Sequence, residues 1–142
     1  MSHLLPCSKW LFLTPANIVK KKFILIIALV YFIITVILLT LPGADFPQEN
    51  FLTKIHFDKW VHIGMFALLV FLWDAWLSGG KEAAPFKKFI TVGIVALIYG
   101  IVMEFVQRYW VPGRSFDVTD MIADGVGCVI GLAASKYLLK KK

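Results

Sequence analysis

Long apolar runs alternate with short polar segments along the whole chain. Phe23 to Leu41 is uncharged over about the length needed to cross a hydrocarbon core, roughly 20 residues. Lys20, Lys21 and Lys22 precede it and Pro42-Gly43 ends it. Trp60 to Leu77 is a second run, followed by Gly79-Gly80, and Phe89 to Gln107 is a third, closed by Arg108 and the Pro112-Gly113 turn. A fourth extends from about Thr119 to Leu139, before Lys140, Lys141 and Lys142. The apolar positions are continuous rather than alternating, which excludes β-barrel strands. Backbone groups in lipid must be satisfied within their own segment, so each run is expected to be helical. The predicted fold is all-α: a polytopic membrane protein with a four-helix transmembrane bundle. Residues 1–22 read as a cytoplasmic segment lying at the interface, with Trp10, Leu11 and Phe12 near Lys9. Residues 23–139 form the membrane domain and 140–142 a basic cytoplasmic tail. The first run is read as a span rather than a secretion signal, because it is long, starts late and is closed by no small-residue cleavage site.

Composition supports this class. Hydrophobic residues make up 59% and charged residues 17% of 142, against about 25% charged in soluble domains, and the mean hydropathy is +0.78. A soluble fold of this size lacks the interior to hide so much apolar surface. The net charge of +6 does not indicate nucleic acid, because the basic residues sit in short blocks between apolar runs, as in a chain oriented by anionic lipid. Lys9, Lys20, Lys21 and Lys22, then Lys81, Lys87 and Lys88, then Lys136 and Lys140 to Lys142 all belong to one side of a four-span protein. Only Lys54, Lys59, Arg108 and Arg114 fall on the other, so both termini are expected in the cytoplasm. Cys7 and Cys128 offer no disulfide framework.

The polar residues that intrude on the runs do so mostly at one end. Asp58, Lys59 and His62 open the second; Glu104, Gln107 and Arg108 close the third; Arg114, Ser115, Asp117, Asp120 and Asp124 lead into the fourth. In the expected topology all three groups lie at the outer face. Asp58 and His62 share a helix face, as do Glu104 and Arg108, while Asp117, Asp120 and Asp124 form one stripe. An ionised carboxylate facing lipid near a helix centre costs about 2.5–3.5 kcal/mol, so Glu104, His62 and Asp124, about a turn inside, should face the bundle interior. Taken singly, these charges have ordinary explanations: snorkelling, an N-cap at Asp120, a Glu104–Arg108 ion pair. As a set drawn from three segments to one depth they point to a site. Asp74, between Trp73 and Trp76 near the other end, is expected to snorkel to the interface. Gly127 and Gly131, extended by Ala123 and Ser135, suggest close helix packing within the monomer. His56, Asp58 and His62 have ligand chemistry but no tight zinc spacing, and no phosphate-binding glycine loop or nucleophile elbow is present.

The ordered combination resembles the VanZ-like family, typified by a teicoplanin-resistance protein. It comprises Asp58-Lys59-x-x-His62, Glu104-x-x-Gln107, Pro112-Gly113-Arg114-Ser115 and Asp120-x-x-Ala123-Asp124-x-x-Gly127-x-x-x-Gly131, within residues 24–139. One departure is Asp124, where the family usually has Asn. The resemblance implies a four-helix domain in a bacterial cell membrane, a link to lipoglycopeptide resistance, and kinship with lipid head-group enzymes.

Two kinds of function fit. In the first, an enzyme acts on a lipid or lipid-linked head group by phosphodiester chemistry. His62 is acid or base oriented by Asp58, and Glu104 and Asp120 complete the catalytic set or hold a divalent cation, calcium or magnesium. Arg114, Arg108, Lys59, Gln107, Ser115 and Asp124 would bind substrate, the guanidinium groups through charge-assisted hydrogen bonds to phosphate. In the second, a non-catalytic membrane protein binds lipid or a cell-wall precursor, or limits drug access. A transporter is disfavoured, since its polar residues should lie near the midplane. The expected partners are membrane lipids or a lipid-linked precursor and not nucleic acid; the oligomeric state is left open. The topology is tested by cysteine labelling in intact cells: both termini should be protected, and the first loop labelled from outside.

Overall fold

The computed structural model describes residues 15–42, 57–79 and 84–139. The expected interfacial stretch around Trp10 and the basic tail at Lys140 to Lys142 lie outside them. The described residues form α1 (Pro15–Thr40), α2 (Phe57–Ser78), α3 (Phe86–Trp110) and α4 (Val118–Leu138). Each is long and apolar enough to cross a membrane. Pro15 opens α1, a position that tolerates its missing N–H, and the helix carries Lys20 to Lys22 as part of its first turns. It therefore starts eight residues before the uncharged run. α3 stops where Val111 turns extended (φ −107°, ψ 114°) ahead of Pro112. The chain then reverses at Gly113, whose φ of 72° is a left-handed conformation that glycine adopts without a Cβ clash.

The interior is built around α2. It packs most extensively on α4 and also meets α1 and α3, whereas the backbones of α1 and α4 do not approach each other closely among the described residues. Met65, Phe66, Leu69 and Val70 of α2 form a core with Leu39 of α1, Ala96 and Met103 of α3 and Cys128 of α4. Polar groups of α1 serve this packing. Tyr31 donates its hydroxyl proton to the Met65 carbonyl (3.2 Å), and the hydroxyls of Thr35 and Tyr99 lie 3.2 Å apart. The Tyr99 ring sits 5.2 Å from Phe32 and 5.9 Å from Phe66 between centroids.

Large apolar side chains such as Ile33, Ile94, Val95, Ile98 and Val129 point outward, while His62, Asp74, Glu104, Gln107, Asp120 and Asp124 are buried. That distribution suits a chain whose solvent is hydrocarbon, where the interior is the only refuge for charge. Asp74 departs from the expectation of snorkelling: it is wholly buried, because its face of α2 is the one covered by α4.

The α2–α4 contact depends on missing side chains. A Cβ on Gly127 would come within 2.5 Å of the Ile63 carbonyl oxygen, and one on Gly131 within 2.6 Å of that of Ala67. The small-residue stripe is thus a packing seam within the monomer. Gly127→Ala should lower stability by about 1–3 kcal/mol through overpacking. Gly64→Ala, where a Cβ meets nothing within 4 Å, should be neutral or stabilising by up to about 1 kcal/mol, because alanine loses less backbone entropy in a helix. Thermal unfolding of the two purified variants in detergent gives the comparison.

Candidate functional site

The polar groups meet where α2 and α4 begin and α3 ends. Helix N-termini favour negative charge, and both helices place carboxylates there: Asp58 in the first turn of α2 and Asp120 in that of α4. Asp117 is the N-cap of α4; it accepts hydrogen bonds from the Thr119 N–H (2.8 Å) and hydroxyl (2.6 Å). The cap is therefore Asp117 and not Asp120, which frees Asp120 to turn inward.

Lys59 neutralises much of this charge. Its ammonium lies 3.0 Å from Asp58, 2.9 Å from Asp117 and 2.6 Å from Asp120, tying the start of α2 to that of α4. Below it, His62 is 5% exposed and Asp124 1%, and His62 Nδ1 meets Asp124 Oδ1 at 2.8 Å. A carboxylate beside Nδ1 holds the proton on that nitrogen and leaves the lone pair on Nε2. Nε2 faces Asp120 Oδ2 at 4.0 Å, beyond hydrogen-bond length. Gly100 makes room for this pair, since a Cβ there would stand 2.5 Å from Asp124 Oδ2.

Glu104 and Gln107 of α3, each 1% exposed, fasten the neighbouring segments. Glu104 Oε2 accepts the Asp117 N–H at 3.0 Å, and Gln107 Nε2 donates to the Leu39 carbonyl at 2.9 Å. The half-buried Arg114 donates from Nε to the Leu41 carbonyl (3.4 Å). The end of α1 and the residue just past it thus contribute backbone carbonyls, and the site's side chains come from α2, α3, α4 and the loop before α4.

Several pairings differ from those the spacing suggested. Asp58 binds Lys59 and is exposed, so the carboxylate that orients His62 is Asp124, carried by the neighbouring helix. Glu104 pairs with the α4 entry and not with Arg108, whose guanidinium lies 5.8 Å from the Tyr109 ring centroid. Arg108 and Ser115 are exposed. Among the described residues, no three His, Cys, Asp or Glu side chains are arranged to hold a metal ion. The reason is visible in the pairing: Glu104 is engaged by a backbone N–H, Asp120 by Lys59 and Asp124 by His62. The donor set does not fit the divalent cation expected at Glu104 and Asp120.

Fold and site together define a multi-pass membrane protein with a buried acid–base cluster at one end of a four-helix bundle. The VanZ/LLP1 family model matches residues 10–140, nearly the entire chain, and the protein belongs to that family. No curated protein and no solved structure gives a significant match.

Asp117 supplies a test of the cap. Its bonds from Thr119, and then Lys59, lower its carboxyl from the usual 3.8 to about 2. A depressed carboxyl stabilises the fold fully above its unfolded value, and that contribution disappears as pH falls through the folded one. Asp117→Ala should cost roughly 0.5–2 kcal/mol at pH 7, toward the low end because the side chain is partly exposed. The difference from wild type should shrink below about pH 4 and largely close near pH 2, as read by paired unfolding curves.

Proposed function

We propose that the cluster performs acid–base chemistry on the polar head group of a lipid or lipid-linked molecule at the outer membrane–water boundary, with a phosphodiester as the reacting group. The observation that carries this reading is the buried His62–Asp124 contact. It has the logic of a base oriented by a carboxylate, with the opposite ring nitrogen turned toward the site. His62 Nε2 takes the proton of an attacking water or hydroxyl as its oxygen bonds to phosphorus, Asp124 stabilises the imidazolium that forms, and the P–O bond to the leaving alcohol breaks with that oxygen taking up the proton. Arg114, steadied by the Leu41 carbonyl, supplies a planar fork suited to phosphate. Lys59 holds Asp120 beside the ring, and Glu104 fixes the loop that carries Arg114 relative to α4. Head-group modification or turnover of this kind gives a route to the reduced lipoglycopeptide susceptibility associated with the family.

A non-catalytic lipid- or precursor-binding role is the second reading. The observation favouring it is that Asp117, Asp120, Asp124 and Glu104 are all engaged in the resting fold, as a purely structural network would also be.

Purified protein in vesicles of defined phospholipids separates the two. Head-group release or exchange should be measurable with wild type. His62→Gln and Asp124→Asn should each lower it by about 10²–10⁴-fold, the usual share of a positioned base, without loss of folded protein. Arg114→Lys should also fail, since an ammonium cannot reproduce a bidentate fork. Wild-type activity in all three variants would remove the enzymatic reading and leave the binding one.

A further inference from the structure

A second polar group lies at the opposite end of the bundle, where α2 and α4 finish. Asp74 and Ser78 are four residues apart on α2, and Ser135 is on α4. Asp74 and Ser135 have no solvent exposure at all. Both carboxylate oxygens of Asp74 and the hydroxyl oxygens of Ser78 and Ser135 are buried and have no hydrogen-bond partner among the described residues. The small-residue seam brings Asp74 and Ser135 together, with Ser78 one turn further along α2. Gly131 packs against Val70, and one helical turn further on Ser135 lies beside the Asp74 carboxyl.

Among the described residues no basic side chain answers Asp74. Lys21 Nζ lies 5.5 Å from the Trp76 ring centroid and Lys136 Nζ 5.4 Å from that of Phe86, and among the described residues neither forms an ion pair with Asp74. A buried carboxylate without a partner is expensive. The surroundings favour positive charge, because α2 and α4 both terminate here and helix C-termini carry partial negative charge and carbonyls with lone pairs to spare.

We propose that Asp74, Ser78 and Ser135 form a binding site for a small monovalent cation of the sodium type. The ligand atoms are all oxygen, which selects hard cations. One carboxylate and two neutral hydroxyls balance a single positive charge, whereas a divalent ion would leave a net charge inside the bundle. The tight α2–α4 contact beside the site favours a small ion. The site is independent of the His62–Asp124 chemistry at the other end.

The test is thermal unfolding of the full chain in detergent at fixed pH, with sodium chloride titrated against choline chloride at constant ionic strength. A cation bound only by the folded state raises Tm with its concentration. Wild type should show a saturable rise of a few degrees. Asp74→Asn should abolish it while being at least as stable as wild type in choline, and Ser135→Ala should shift the midpoint to higher sodium. Equal Tm in sodium and choline for wild type overturns the proposal, as does a sodium-dependent rise that survives in Asp74→Asn. A larger rise with magnesium chloride, lost in Asp74→Asn, overturns the monovalent assignment. If Asp74→Asn does not fold, an unshifted midpoint in Ser135→Ala overturns the site.

Discussion

The close approach of α2 and α4 governs the rest of the structure. Their backbones meet where Gly127 and Gly131 face the carbonyls of Ile63 and Ala67, nearer than any side chain would permit. Lipid supplies no hydrophobic drive for two apolar helices to leave it for each other, so dispersion and polar contacts must hold them. The glycines make the dispersion contact possible. They also set the polar one: His62 precedes Ile63, and Asp124 lies one turn before Gly127. The backbone spacing that suits the glycines brings Nδ1 of one helix to 2.8 Å from Oδ1 of the other. Widening the seam by the thickness of a methyl group would stretch that bond as well as the packing beneath it.

The two ends of this helix pair carry different electrostatics. At one end α2 and α4 start, and their N-termini tolerate the carboxylates of Asp58, Asp117 and Asp120, with Lys59 at the centre. At the other end both helices finish, yet a buried carboxyl, Asp74, is again present. Its surroundings differ in sign from those of Asp120. The first end is compensated by protein charge, whereas the second offers oxygen atoms and, among the described residues, no cationic side chain in contact. A single parallel pair of helices therefore gathers two polar clusters of different composition.

The four spans were legible because the apolar runs are long and the punctuation by Lys blocks, Pro and Gly is strong. The gathering of His62, Glu104, Gln107 and Asp124 at one end was legible too, from depth along each run. The partners were not. Spacing within one helix suggested Asp58 for His62 and Arg108 for Glu104, because i and i+4 share a face. A face roughly 100° wide still divides at its edge, and Asp58 falls on the exposed side while His62 is buried. Which residue of another helix meets His62 depends on axial register, and that register is set by Gly127 and Gly131 acting against α2 as a pair. The same cause hid Asp74: its flanking tryptophans resembled an interfacial belt, but the packing seam continues past it to Ser135. The Asp117 cap had a local signal in Thr119 two residues on, a pattern that fits an Asx-type cap as well as a stripe of acids.

Asp124 is bonded to the ring through one oxygen, and comparison with an asparagine in its place separates what its shape does from what its charge does. An asparagine side chain could occupy the same place but can turn either its carbonyl oxygen or its NH2 toward Nδ1, so it would not fix the tautomer. It could not offer negative charge to a protonated ring. In a low-dielectric interior that difference is far larger than in water, so the carboxylate holds the ring by charge as well as by its bond. Asp120, 4.0 Å from Nε2, adds negative charge on the ring's other side, and Lys59 holds that carboxylate at 2.6 Å, restraining it from closing on Nε2. The ring thus sits between two acids with different tasks: Asp124 bonded and fixed, Asp120 drawn toward a lysine. In this arrangement only one ring nitrogen is committed, and the other stays open toward Asp120, so the helix seam that sets the first contact also sets what the second nitrogen can meet.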